Sequence, residues 1–400
     1  MFRNGKSPNA IGCRARRILL DHFGCESAVL GGPLEHSKNN IGVLRLLLAS
    51  LVIVSHSPEM VDGNRSHEIL NSIFHTMSLG DLCVDGFFLL SGYLITQSME
   101  KTASLPTYLA HRILRIYPGF IACFLLCVFV LAPALRAEIG GQLRQTFLTL
   151  VLLGTPPVYA GQMPGLAEPN QLNWSMWTIA YEFRCYLMVA LLWAIGIMSR
   201  RAVVLGLTIL AVGAHVASTY PEVADRMQWP FPLPYRWQIL GGIPENIRLM
   251  SHFLIGTSAY LYRDDLEKNL TAPIAALLTV AMLGCMFHPH LADTAVGLLG
   301  GFPLFWLALK ADLGRFQRIN DRWDISYGVY LYGWPIGITL RWIYPGLDAW
   351  LLVSATLPLA LLCGVLSWHW VEKPVKGLRK KIDRKSVRSD ADLAHSASGL

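Results

Sequence analysis

Residues 112–133 read RILRIYPGFIACFLLCVFVLAP, and this stretch decides the class of fold. Between Arg115 and position 133 no charged residue occurs, which leaves an apolar run long enough for a helix to cross a bilayer. Arg112 and Arg115 stand at the start of the run, and basic residues gather on the cytoplasmic side of membrane helices. The pattern predicts a transmembrane helix that begins at the cytoplasm.

The composition extends this interpretation to the whole chain. Hydrophobic residues make up 53% of the 400 residues and charged residues only 15%, against about 25% charged in soluble domains. These values argue against a disordered chain, a coiled coil and an ordinary soluble enzyme. The net charge of +7 lies in short segments between apolar runs, so it indicates membrane topology and no nucleic-acid partner.

Apolar segments recur from residue 41 to residue 371. There are eleven, at 41–58, 79–98, 112–133, 146–157, 173–198, 202–219, 247–262, 271–287, 295–310, 325–344 and 349–371. Placing every basic loop in the cytoplasm requires two spans between the basic clusters at 112–115 and 200–201, so the segment 146–157 cannot cross. That segment is short and ends in Pro156 and Pro157, which favours an interfacial or re-entrant position. The prediction is an all-α polytopic membrane protein with about ten transmembrane helices and both termini cytoplasmic.

The chain divides into three parts by composition. Residues 1–40 are predicted to be a cytoplasmic N-terminal segment, since they are polar and lack the apolar centre of a signal peptide. Residues 41–374 form one membrane domain without an internal repeat of fixed period, which weakens the case for an inverted-repeat transporter. Residues 375–400 form a basic cytoplasmic tail suited to contact with anionic lipid.

The eight cysteines predict neither disulfides nor a metal site. Six of them lie within apolar stretches, no CxxC pair occurs, and no spacing of Cys and His suits zinc.

Ionisable residues within the predicted spans are functional candidates because burying charge in a membrane is costly. Arg45 and His56 are eleven residues apart, so they share one helix face about 16.5 Å apart and are expected to look into one cavity. The alternative is that both lie at the two interfaces as anchors. Asp85 and Glu182 interrupt other apolar runs, and Ser91-Gly92 allows close helix packing.

Arg112 and Arg115, at i and i+3, lie on one side of a helix. Paired guanidinium donors suit phosphate, which predicts a phosphate clamp, with ordinary positive-inside anchoring as the alternative.

Taken together, the motifs resemble acyltransferase family 3, the integral-membrane O-acyltransferases that modify bacterial surface polysaccharides. Six motifs carry the resemblance over about 41–374: Arg45-x10-His56, VDxFFxxSGxLI at 84–95, RxxRIYP at 112–118, Trp174-x7-Glu182, SYxxYLxxWP at 326–335 and Glu372-x-Pro374. Each motif is weak alone, but six in this order are specific. The family's fold of ten spans agrees with the count from the basic loops.

The resemblance implies a bacterial inner-membrane enzyme that moves an acyl group, typically acetyl, from cytoplasmic acyl-CoA to a sugar hydroxyl of a surface or lipid-linked polysaccharide. It implies acyl-CoA as co-substrate and no metal. The candidate donor-binding residues are then Arg45, Arg112, Arg115, Ser91 and Tyr117, and the candidate catalytic residues are His56, Asp85 and Glu182. His56 would act as general base or transient acyl carrier, oriented by Asp85 or Glu182.

One position departs from the family pattern. Many members have His before the Trp-Pro of the tenth span, where this chain has Gly333. A mechanism that relies on a second His is therefore in doubt, and His56 is the main base candidate. The competing functions are a flippase or transporter for a lipid-linked glycan and a non-catalytic sensor or scaffold with the same fold.

The loop 220–246 is predicted to lie outside the membrane, opposite the basic loops. It contains Trp229, Pro230, Phe231, Pro232, Tyr235, Arg236 and Trp237, and its aromatic side chains either contact sugar or belong to an interfacial belt.

Overall fold

The structure is a computed structural model of the chain. It describes residues 39–102, 104–140, 143–158, 163, 166–167, 170–227, 229, 239–320 and 323–378. The terminal segments predicted at 1–40 and 375–400 fall almost entirely outside these residues. Within them, every regular element is a helix, and the single extended pairing is an isolated bridge between Ile139 and Val158.

The helices follow the apolar segments of the sequence. They are α1 Ile41–Asp62, α2 Ile69–Phe74, α3 Leu79–Glu100, α4 Leu105–Leu126, α5 Leu143–Val151, α6 Trp177–Ala194, α7 Arg201–Ser218, α8 Ile243–Leu261, α9 Arg263–Asn269, α10 Ala272–Cys285, α11 Ala292–Leu298, α12 Gly301–Leu309, α13 Ser326–Ile343 and α14 Ala349–Ser367. Shorter turns of helix are Ala132–Ala134, Trp174–Met176, Ile197–Ser199, Pro221–Ala224 and Gly314–Arg318, and π-helical turns at Cys127–Leu131 and Trp368–Glu372 continue α4 and α14.

Six helices in the described part of the chain are long and apolar enough to cross a membrane. They are Ile41–Asp62, Leu79–Glu100, Leu105–Ala134, Arg201–Ser218, Ala292–Leu309 and Ala349–Leu378. The pair α9 and α10 is bent by 94° and becomes a seventh if it is one broken span. Helices α6, α8 and α13 have 18 or 19 residues but carry more polar side chains.

The core of the bundle is a close crossing of α3 and α8. A Cβ atom added at Gly92 would lie 2.0 Å from the carbonyl oxygen of Phe253, and one added at Gly256 would lie 2.0 Å from that of Leu89. The two backbones therefore touch at a point that only glycine permits, which is how small residues join helices in membranes. Helix α1 packs against α3, α13 packs against α1, and α14 packs against both α13 and α1.

The segment around α5 enters and leaves the bundle at one place. Ile139 bridges Val158, and the Gly140 amide donates to the carbonyl of Pro157 at 3.1 Å, so the two ends of the segment lie side by side. Helix α5 has nine residues, about 13.5 Å, which is too short to span a bilayer. The short helix agrees with the prediction from the basic loops that 146–157 does not cross, and the position of this segment in a membrane stays a prediction.

Candidate active site

A cavity of about 170 Å³ lies among α1, α3, α4, α6 and α13. We call it the inner cavity. Its wall contains four of the five residues predicted to bind the acyl donor: Arg45, Ser91, Arg112 and Arg115. Glu182, one of the three predicted catalytic residues, lines the same cavity.

Asp324 organises the arginines at one end of this cavity. Its Oδ2 atom accepts hydrogen bonds from Arg45 Nη1 at 2.8 Å and from Arg115 Nη2 at 2.6 Å. Arg115 Nη1 also donates to Glu372 Oε2 at 2.9 Å, which ties the final motif to this cluster. Burial alone would raise the pKa of Asp324, but the guanidinium groups of Arg115 and Arg45 hold this pKa well below its ordinary range.

Arg112 is buried deeper than its sequence position suggests. Helix α4 begins at Leu105, with Ser104 as its cap, so Arg112 lies about 10 Å along the helix instead of at its start. Its guanidinium lies over the rings of Tyr108 and Tyr186, and its Nη2 atom donates to Ser98 at 3.0 Å. Its buried Nε atom has no hydrogen-bond partner among the described residues, which leaves one donor for a ligand.

Ser91 and Gly92 serve different purposes although they are neighbours. Gly92 packs against α8, whereas Ser91 Oγ donates to Glu182 Oε1 at 3.0 Å across the inner cavity. The hydroxyl of Tyr186 donates to the same oxygen at 2.5 Å. No described residue forms a hydrogen bond with the other oxygen of Glu182, so this atom is available to a bound molecule.

Tyr117, the fifth predicted donor residue, does not line the inner cavity. Its hydroxyl donates to the carbonyl of Val151 at 2.8 Å, and its ring packs against Phe183. Its contact is therefore with the end of α5. Tyr117 is two residues after Arg115, so helix geometry turns its side chain about 200° away from that of Arg115.

His56 lies outside the inner cavity, beyond the layer that closes it. Its Nδ1 atom is 2.9 Å from Glu59 Oε2, and its ring meets the indole of Trp334 edge-on with centroids 4.9 Å apart. The side chain is 12% exposed, and no described residue bonds its Nε2 atom. Neither Asp85 nor Glu182 is its hydrogen-bond partner; the carboxylate in contact with His56 is Glu59.

Asp85 is fully buried and belongs to another pair. Arg248 donates to it through Nε at 3.2 Å and Nη2 at 3.0 Å, and His252 Nε2 lies 3.6 Å away. Two parallel bonds of this kind compensate the cost of burying the carboxylate. The three candidate catalytic residues therefore occupy three separate places in the fold.

A chain of ion pairs nevertheless joins His56 to Arg248. Arg65 donates to Glu59 at 3.1 Å and lies 3.3 Å from Asp81, and Arg248 lies 3.4 Å from Asp81. A change at Arg65 or Asp81 would consequently disturb both His56 and Asp85.

An aromatic layer separates the inner cavity from His56. Phe87 and Tyr330 meet edge-on with centroids 5.9 Å apart, and the hydroxyls of Tyr330 and Thr178 are 2.6 Å apart. All three residues line the inner cavity. Tyr330 lies one helical turn before Trp334 on the same face of α13, so the layer stands between the cavity and the histidine.

Gly333 has a structural explanation. A Cβ atom at this position would lie 2.7 Å from the side chain of Ile53, so α1 and α13 touch here. A histidine would need the two helices to move apart.

Three site residues escaped the sequence analysis, although two of them left a signal. Glu59 lies one residue beyond the predicted end of the first span, but α1 continues through Pro58 to Asp62. Arg248 is an arginine within an apolar segment, which alone makes it a candidate. Asp324 lies in a loop and carries no pattern; only the fold brings it to Arg45 and Arg115.

The aromatic loop 220–246 is described in part. Trp229 Nε1 donates to the carbonyl of Gly241 at 2.9 Å. The other six residues named for this loop lie outside the described residues, and its contact with sugar stays a prediction. Within the described ranges, no group of three or more His, Cys, Asp or Glu side chains is arranged to hold a metal ion.

Comparison with known proteins gives one family and several distant relatives. A family model described as an acyltransferase domain matches residues 38–369. The chain is 24% identical to an O-acetyl transferase of Shigella phage Sf6, over 84% of this chain and 96% of the relative. It is also 24% identical to nodulation protein 10 of Rhizobium leguminosarum bv. viciae (88% and 98% covered) and to acyltransferase MdmB of Streptomyces mycarofaciens (82% and 88% covered). No solved structure matches the chain.

Proposed function

The chain belongs to acyltransferase family 3, and from this premise we propose that it transfers an acetyl group from cytoplasmic acetyl-CoA to a hydroxyl of a surface or lipid-linked polysaccharide. An O-acetyltransferase activity agrees with the relative from the phage. The observation that carries the proposal is the convergence of Arg45, Arg112 and Arg115 on one cavity. The proposed location is the bacterial inner membrane.

The proposed topology has ten spans and cytoplasmic termini. The six long apolar helices are joined by α6, α8, α10 and α13, which gives ten. The N-terminal end of α1 then faces the cytoplasm, and with it Arg45 and the Asp324 cluster. His56, about 16.5 Å further along α1, lies toward the outer surface.

The inner cavity is the proposed donor site. CoA carries phosphate groups, and arginine binds phosphate oxygens through paired charge-assisted hydrogen bonds. Arg112 has an unused buried donor, and the carboxylates of Asp324 and Glu372 hold Arg115 and Arg45 in place. Ser91 and Glu182 stand beside the thioester arm. Apolar residues near Phe87 surround its acyl end.

His56 is the proposed general base. With Nδ1–H donating to Glu59, the Nε2 lone pair can take the proton of the acceptor hydroxyl. The hydroxyl oxygen forms a bond to the thioester carbonyl carbon, the carbon–sulfur bond breaks, and the proton on His56 passes to the CoA thiolate. Glu59 stabilises the imidazolium that forms, as a carboxylate does in other histidine dyads. In this proposal Asp85 acts through Arg248, and Glu182 acts on the donor side.

The experiment that tests the function uses the full chain in lipid nanodiscs. Acetyl-CoA with a labelled acetyl group is offered together with surface glycan from cells that lack the gene. Release of CoA with labelled acetate esters on the glycan is the expected result. Glycan movement across the bilayer without consumption of acetyl-CoA would support the flippase instead, and no reaction in either assay would favour the scaffold.

A further inference from the structure

A second and larger cavity of about 610 Å³ lies on another face of α6. We call it the outer cavity. It is lined by the beginning of α6, the beginning of α8, the α5 segment and the ion pairs around Arg65. Its volume is in the range of ligand-binding sites, and no described residue lines both cavities. The donor site therefore does not account for it.

Three half-buried aromatic side chains form one wall of the outer cavity. Trp174 and Trp177 have ring centroids 6.5 Å apart and planes inclined by 32°, and Tyr181 meets Trp177 edge-on at 5.5 Å. They follow one another along α6 and the turn before it, so helix packing holds their orientation. Rigid aromatic faces of this kind bind the apolar face of a sugar ring at little entropic cost.

The arginines in the described wall already have partners, whereas the carboxylate of Glu245, which also lines the cavity, has no ion pair among the described residues. Arg65 pairs with Glu59 and Asp81, and Arg248 pairs with Asp81 and Asp85. Arg184 lies 4.5 Å over the ring of Tyr181 and donates to the carbonyl of Ile239. An anionic ligand would be repelled by Glu245 and would have to break an ion pair to reach Arg65 or Arg248, whereas sugar hydroxyls can bond to these groups as they stand. The lining thus disfavours an anionic ligand.

Two contacts connect this cavity to His56. Arg65, in the cavity wall, bonds Glu59, which holds the histidine. On the other side Trp334, which touches His56, donates through Nε1 to the carbonyl of Gln171, three residues before Trp174. The wall of the outer cavity is therefore linked to the proposed base through Glu59 and through Trp334.

We propose that the outer cavity is the acceptor site and that it takes a pyranose ring without anionic groups, stacked on Trp177. This inference rests on the proposed function, since it gives that reaction its second substrate. It goes further by naming the place and the class of the acceptor sugar. The ring's hydroxyl would point toward His56, and the remainder of the glycan would leave through the outer mouth of the cavity.

The test measures glycan binding separately from catalysis. Full-length protein in nanodiscs is applied to an array of oligosaccharides that are uncharged, uronate-bearing, phosphate-bearing or aminated. We expect binding to glycans that carry no uronate or phosphate. Trp177→Ala should weaken it about 10-fold or more, and Trp177→Phe should retain part of it, because a truncated aromatic anchor loses most of its contact.

The matched control is Trp350→Ala. Trp350 is 65% exposed at the start of α14, which the proposed topology places at the same membrane surface, and it is not part of the cavity. It should bind glycans like the parent. Acetyl-CoA binding is measured on every variant, so a failure of the donor site is distinguished from a failure of the acceptor site.

Three results would overturn the proposal. They are binding confined to uronate-bearing or phosphate-bearing glycans, binding by Trp177→Ala within about twofold of the parent, and absence of glycan binding by a parent protein that still binds acetyl-CoA. An equal loss in Trp350→Ala would show that the effect belongs to an interfacial belt of tryptophans.

Discussion

Glu59 holds Nδ1 of His56 at 2.9 Å, from one helical turn further along α1. The pair gives the histidine one fixed ring nitrogen and one unbonded nitrogen, which is the arrangement that a general base requires. An identical distance separates His67 Nδ1 from Asp62 Oδ2, at the exposed surface. This second pair provides a control with the same chemistry outside the site.

His56→Gln should abolish transfer while the protein still folds and binds acetyl-CoA. Glutamine can replace a hydrogen bond but cannot take up a proton near neutral pH, so turnover should fall at least about 100-fold. Glu59→Gln should lower it by about 10- to 100-fold, because the ring loses its orienting partner. Acetyl transfer and acetyl-CoA binding are measured on the same preparations, and His67→Gln should behave like the parent. Transfer by His56→Gln at the parent's rate would remove His56 from the mechanism.

Arg112→Gln should lower the affinity for acetyl-CoA, in contrast to the effect of His56→Gln on turnover. A charge-assisted hydrogen bond to phosphate contributes about 1.5–3 kcal/mol, so acetyl-CoA should bind about 10- to 150-fold more weakly. Arg112→Lys should recover a part of this, since lysine lacks the paired donor geometry. Arg112 is a cleaner test than Arg115, whose loss also leaves Glu372 unpaired.

Arg263→Gln is the control for this experiment, because Arg263 also lies over a tyrosine ring but does not line the inner cavity. Isothermal titration of acetyl-CoA gives the affinities. If Arg112→Gln binds acetyl-CoA like the parent, the arginine is an anchor only.

Phe87→Ala should widen the range of acyl groups that are transferred. Removing this ring opens the layer at the outer end of the donor site, and the acyl end of the donor is expected to lie there. We expect the ratio of kcat/KM for hexanoyl-CoA to that for acetyl-CoA to rise about 10-fold or more, as a few kcal/mol of steric exclusion would give. Leu94→Ala also enlarges the inner cavity, one helical turn beyond Ser91 toward the cytoplasm, and should leave the ratio unchanged. Equal shifts in both variants would mean that cavity size, not the layer, sets the acyl length.

Asp324 should make the protein sensitive to acid. Its pKa is lower in the folded protein than in the unfolded chain. The ionised carboxylate therefore stabilises the fold at any pH above the pKa of the unfolded chain, and this stabilisation is lost as the pH falls through the pKa of the folded protein. Asp324→Asn should melt at a lower temperature than the parent at pH 7, and the difference should narrow below about pH 4. Asp265→Asn, at an exposed ion pair, should show no such trend. A difference in melting temperature between the parent and Asp324→Asn that stays constant at every pH would contradict this coupling of stability to the protonation of Asp324.

Gly92→Ala tests the crossing of α3 and α8. The added Cβ would lie 2.0 Å from the carbonyl of Phe253, so the helices must separate, at a cost of about 1–3 kcal/mol or more. Gly213, in the middle of α7, has no neighbour within 4 Å of the same atom, so Gly213→Ala should be neutral or slightly stabilising. Thermal unfolding in detergent compares the two. Similar melting temperatures would mean that the crossing tolerates a methyl group.

The sequence alone was sufficient for the membrane class, the helical segments and the absence of a span-length helix in the described residues 143–158. Each rests on a local property, namely the length of an apolar run or the position of basic residues, that needs no knowledge of neighbouring helices. Arg45, Arg112 and Arg115 were selected as candidates for the same reason. A charged residue in an apolar segment can be recognised from the sequence, whatever the direction of its side chain.

The tertiary structure alone decided which charges meet. A buried charge must have a partner, but apolar periodicity does not say which helices are neighbours. Asp85 pairs with Arg248, 163 residues away in the sequence, and Arg115 pairs with Asp324, 209 residues away. Ser91 and Gly92 also contact different helices, because the side chains of adjacent residues on a helix point in different directions. His56 had its partner three residues away, and it was missed because α1 continues through Pro58 beyond the apolar run.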